Sequence, residues 1–174
     1  MNKKFIIINI FLTFIMGFLV HFIYSLIPSV FTSIFPVNES LYEHIKLIYL
    51  SAIISSTILY YIFRHKSYQI NNYLFGLIVS TVFNIIIFYL AYLPLYNIYG
   101  KVMVITLITY FITICLSNYL YYLIIEMNNS KKLNRISFVM LFVIMFILTY
   151  FTYNPLKVPF FYDTINHYYG IKKT

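Results

Sequence analysis

FIIINIFLTFIMGFLVHFIYSLI, residues 5–27, decides the fold. Its 23 residues carry no Asp, Glu, Lys or Arg, and at a helical rise of 1.5 Å per residue they cover the roughly 30 Å of bilayer hydrocarbon. Lys3 and Lys4 give the run a basic start, as in a signal peptide. A signal-peptide core, however, holds roughly 7–15 apolar residues and leads to a small-residue cleavage site, which is missing here. The run is expected to persist as a membrane span.

Four more apolar runs follow, at 47–63, 73–93, 102–125 and 136–153. Lipid offers no partner to an unpaired backbone group, so open segments of this kind cross as helices. The expected architecture is all-α, a polytopic membrane helix bundle of about five spans forming a single integral domain over residues 1–174. Composition agrees: 62% of the chain is hydrophobic and 9% charged, against roughly 25% charged in soluble domains. A net charge of +8 with no basic cluster longer than two residues points to membrane orientation rather than nucleic acid. The single Cys115 excludes an internal disulfide and any Cys-based metal or redox motif.

Basic residues set the expected orientation. Lys3, Lys4, Arg64, Lys66, Lys131, Lys132 and Arg135 fall on one side of the membrane, and Lys46, Lys101, Lys157, Lys172 and Lys173 on the other. The seven-to-five bias places the N-terminus in the cytoplasm and the C-terminus outside. The absence of Trp and the abundance of Ile, Asn, Lys and Tyr suggest an AT-rich genome, and hence the cytoplasmic membrane of a bacterium. Tyrosines gather near span ends, as Tyr60, Tyr61, Tyr68 and Tyr73, or Tyr89, Tyr92, Tyr96 and Tyr99, where they read as interfacial anchors.

Polar residues inside the spans recur every four positions. Asn9, Thr13, Gly17, His21 and Ser25 form one ridge, Asn72, Gly76, Ser80 and Asn84 a second, and Thr109, Thr113 and Ser117 a third. Such ridges let helices approach closely and hydrogen-bond across the gap. The fifth span has none and is expected at the periphery. His21, ~24 Å along its helix, is an ionisable group at membrane depth and so a functional candidate.

Half of the chain's four acids stand in PVNESLYEHIK, residues 36–46. Ser40 and Glu43 have the spacing of a capping box, Pro36 suits the preceding turn, and Glu43 can pair with Lys46. That leaves Asn38, Glu39 and His44 unexplained. Four-residue spacing places Glu39 and Glu43 on one helical ridge with His44 about 100° round. Carboxylate beside imidazole can hold Zn²⁺, Mn²⁺ or Fe²⁺, or exchange a proton.

This stretch resembles the signature P-V-N-E-S-x-W-E-H-x-K of an uncharacterised family of small multi-spanning membrane proteins found mainly in Firmicutes. HFIY at 21–24 is similar to the family's H-F-x-Y, and FYDTINHYYGI at 161–171 to its F-x-D-P-x-T-x-x-Y-G-I. Tyr42 stands at the family's Trp and Thr164 at its Pro, the latter weakening the case for a rigid turn at Asp163. The family carries no established activity. All three matching stretches fall on the expected outer side, so His21, Asn38, Glu39, Glu43, His44 and Asp163 are expected to converge in one outer-facing pocket. His167 is a lesser member.

Three functions remain open. In the first, Glu39, Glu43, His44, Asp163 and His21 bind a divalent metal, or Glu39, Glu43 and His44 do acid/base work on a lipid-linked or small polar ligand. In the second, an accessory membrane protein uses Ser40 and its neighbours only as a capped helix start. In the third, a small transporter acts as a homo-oligomer.

Overall fold

The structure is a computed structural model that describes residues 3–27, 31–65 and 70–171. Five long helices carry the five apolar runs: α1 Lys3–Leu26, α2 Leu41–His65, α3 Tyr73–Tyr99, α4 Met103–Glu126 and α5 Lys131–Tyr153. All five are long and apolar enough to cross a membrane. After α5 the chain makes a 3-10 turn at Pro159–Phe161 and a short antiparallel hairpin, β1 Tyr162–Asp163 with β2 Tyr168–Tyr169, in which Tyr162 faces Tyr169. This hairpin, the segment before α2 and the α3–α4 connection share one end of the bundle, the hairpin end. Lys66, Tyr68, Lys172 and Lys173 lie outside the described residues.

The packing inverts that of a soluble protein. On α1, Ile7, Phe11, Ile15, Leu19 and Phe22 are exposed, while Asn9 and Thr13 are buried. Lipid tails are as apolar as leucine, so helices gain little by hiding leucine from them and gain more from close approach and shared hydrogen bonds. The ridges accordingly face protein. Asn9 Nδ2 donates to Asn118 Oδ1 on α4 at 2.5 Å, and the Thr13 and Ser55 hydroxyls bond at 2.6 Å across α1 and α2. Gly17 admits the Tyr110 ring so closely that a Cβ there would lie 2.9 Å from Cε1. Ser25 departs from its ridge: it is exposed and donates to its own helix at Phe22 O.

Several tyrosines read as anchors lie in the core or pack against it. Tyr92 is buried and stacks on Phe88, Tyr73 shares a hydroxyl bond with Thr57, and the Tyr89 hydroxyl donates to Leu41 O. A phenol reaches far enough to satisfy a carbonyl or hydroxyl inside the bundle, which competes with the interface for it. Tyr61 and Tyr99 are exposed, as an anchor should be.

Candidate functional site

The site begins where α2 begins. Ser40 Oγ accepts from Glu43 N at 3.3 Å, one half of the capping box. The other half is replaced: Ser40 N donates to Asn38 Oδ1 at 2.8 Å, and the Glu43 carboxylate accepts instead from Val37 N at 3.1 Å. Because the helix starts at Leu41, Glu39 precedes the cap and has no helical direction. Glu39 and Glu43 therefore do not share a ridge, and the two acids part.

Glu43 turns inward. Its Oε2 lies 2.6 Å from Lys46 Nζ, and its Oε1 accepts from the Thr152 hydroxyl of α5 at 2.9 Å. Lys46 Nζ also reaches Ser33 O at 2.9 Å, Phe35 O at 2.8 Å and Thr152 Oγ1 at 2.8 Å. Both charges are completely buried. This clasp joins the segment before α2 to α2 and α5, and it occupies Glu43 away from any cavity.

Glu39 turns the other way, to His21 Nε2 at 3.0 Å and Lys101 Nζ at 2.6 Å, with His44 Nε2 at 4.0 Å. The His44 Nδ1 atom lies 2.8 Å from Ser40 O, which can only accept, so Nδ1 carries the hydrogen. These four side chains rim a cavity of about 540 Å³ whose walls are Phe14, Phe18, Leu47, Ile48, Phe88 and Tyr110, with Ile165 of the hairpin beside the rim. An apolar chamber with a few convergent polar groups at one end is the usual form of a small-molecule site.

Asp163 and Asn38 hold the rim without lining it. Asp163 Oδ2 accepts from Glu39 N at 3.0 Å, while its Oδ1 accepts from Ile165 N at 2.8 Å and Asn166 N at 2.9 Å. Asn38 Nδ2 donates to Gly170 O at 2.8 Å. The hairpin turn is thus tight with Thr164 in place, because the Asp163 carboxylate does what a proline ring would otherwise do. His167 sits apart, exposed in a left-handed conformation at φ 61°. The expected single pocket resolves into His21, Glu39 and His44 at the cavity, Asn38, Ser40 and Asp163 as supports, and Glu43 in the clasp. Among the described residues no three His, Cys, Asp or Glu side chains are grouped closely enough to hold a metal ion. Lys101 escaped the sequence reading, since its partner Glu39 is 62 positions away and no periodicity links them.

The hydrogen bond from the His21 imidazole holds the Glu39 carboxyl well below the usual carboxylate range; burial opposes it and Lys101 adds to it. Burial alone would raise Asp163, but the Asn166 side chain and the amides of Glu39, Asn166 and Ile165 bring it below its ordinary value. A depressed carboxyl stabilises the fold fully above its unfolded value and loses that contribution as pH falls through the folded one. The protection of the amides at residues 39 and 165–166, relative to their intrinsic exchange rates, is therefore expected to fall as pH drops below the ordinary values of 4.5 for Glu39 and 3.8 for Asp163. Glu39→Gln and Asp163→Asn should each flatten that acid limb; an unchanged profile would mean neither carboxyl is held in the fold as described.

Fold and site together define a multi-pass membrane protein with an apolar pocket, charged at its rim, at one end of its bundle. The chain belongs to DUF6512, a family of unknown function, whose family model matches residues 1–171. No curated protein and no solved structure shows significant similarity to it.

Proposed function

We propose that the hairpin end faces outward from the cytoplasmic membrane of a bacterium, as the positive-inside bias suggests, and that its pocket binds an amphiphile and moves a proton at its polar group. The observation that carries this reading is the cavity itself: apolar along its length, rimmed at one end by His21, Glu39, Lys101 and His44. An all-polar solute would leave the walls wetted, and a wholly apolar one would leave the rim unpaired.

The proton chemistry rests on His44. Its Nδ1–H is committed to Ser40 O, so Nε2 is the proton-accepting nitrogen. A base oriented by a second group is the usual arrangement for general-base work. A hydroxyl of the ligand gives its proton to His44 Nε2, the imidazolium so formed lies 4.0 Å from Glu39 Oε2, and the Lys101 ammonium offsets the negative charge developing on the ligand oxygen.

Organic extraction of the detergent-purified protein should yield one amphiphile enriched over the bulk lipid. Filling the chamber with Leu47→Trp should remove it. His44→Gln should retain it and slow its conversion by about 10²–10⁴-fold. Extracts of wild type and Leu47→Trp that cannot be told apart would rule the reading out.

A further inference from the structure

Resting on the pocket as the functional site, we infer that its ligand is a lipid of the surrounding leaflet, drawn in sideways between α1 and α4. Its chain fills the apolar chamber and its polar group stays at the rim. Four observations lead there.

Gly17 on α1 packs directly against the Tyr110 ring on α4. Both line the chamber, together with Phe18 and Phe22 on α1 and Met103 on α4. These three wall residues are also lipid-facing, with exposures of 38%, 54% and 69%. The chamber and the bilayer therefore share a wall of side chains. Methionine and phenylalanine can change rotamer on a fast timescale, and methionine is the most adaptable apolar side chain.

The route from water is crossed by paired side chains. The ion pair of Glu39 and Lys101, 2.6 Å apart, bridges the rim, and Ile165 stands beside it on a hairpin fastened by Asp163 and Asn38. The chamber's depth suits a chain lying along the helices. From His21 to Phe14 is about 10 Å of helical rise. The rim sits where α1 ends and α2 and α4 begin, the level at which a lipid already keeps its polar group.

The chain has no tryptophan, so a single introduced indole reports on one place. Phe88→Trp sets it on a chamber wall that is 2% exposed, and Phe146→Trp on a helix face that is 71% exposed to lipid. Both proteins are reconstituted into vesicles of phosphatidylcholine brominated on the acyl chains, with iodide as the aqueous quencher. The expected result is loss of most Phe88→Trp emission to the brominated chains, approaching that of Phe146→Trp, with little response to iodide. Quenching by iodide alone overturns the lateral route and leaves a water-fed pocket standing. Quenching by neither overturns the route and the pocket reading together. Tyr110→Trp, at another lining position that is 6% exposed, repeats the test should the first variant not fold.

Discussion

Glu43→Gln is expected to lower the stability of the purified protein by about 3–5 kcal/mol, the usual effect of removing one partner from a fully buried ion pair. The amide still fits beside Thr152 and Val37 N, but Lys46 is left fully buried with no carboxylate opposite. Lys46→Met should be similarly costly, since the Glu43 carboxylate then lacks its cation and the Ser33 and Phe35 carbonyls lose their donor. The two substitutions share one network, so the double variant should cost clearly less than their sum. Thermal unfolding of the four proteins in one detergent decides the matter. A loss for Glu43→Gln of only about 0–1 kcal/mol, the range of an exposed pair, would show that the clasp is hydrated.

Gly170→Ala should detach the hairpin. Gly170 has φ 63°, where an L side chain costs about 1–2 kcal/mol. A Cβ there would also stand 2.5 Å from the Thr152 carbonyl oxygen, a backbone atom that cannot give way easily. Gly100 supplies the control, with φ 71° and nothing within 4 Å of its hypothetical Cβ. Gly100→Ala should carry the conformational cost alone, whereas Gly170→Ala should add the collision and release Asn38 and the Glu39 amide from their partners. Hydrogen exchange over residues 158–171 is expected to rise steeply in Gly170→Ala with helices α1 to α4 unchanged. Equal effects of the two substitutions would mean that Gly170 is not packed against α5.

The helices were legible in the sequence because lipid leaves the backbone one open solution, and the ridges because packing between apolar helices selects small and polar residues at a fixed spacing. The peripheral place expected for α5 agrees with how few of its residues are buried, Ser137, Leu148 and Thr152 among them. The site was legible residue by residue and illegible as an arrangement. His21, Glu39 and His44 do meet, yet the partition of Glu39 from Glu43 turns on which residue caps α2. A cap at Ser40 leaves Glu39 outside the helix, and no periodicity reports that. Lys101 reaches the rim from the α3–α4 connection and Thr152 reaches the clasp from α5, and their roles depend on contacts between segments that share no local pattern. Tyr89 and Tyr92 were misread because a tyrosine at a helix end serves equally well inside or outside the bundle.

The rim is assembled from opposite ends of the chain. Asn38 to Gly170 spans 132 positions, Glu39 to Asp163 spans 124 and Glu43 to Thr152 spans 109. A chain emerging from the ribosome inserts its early helices first. The Glu39 amide and the Lys46 ammonium must then wait for α5 and the hairpin to arrive at the same end of the bundle. Until that moment Glu39 has no fixed direction, and a half-made molecule has helices without the rim. The rim is thus finished only when α5 and the hairpin arrive.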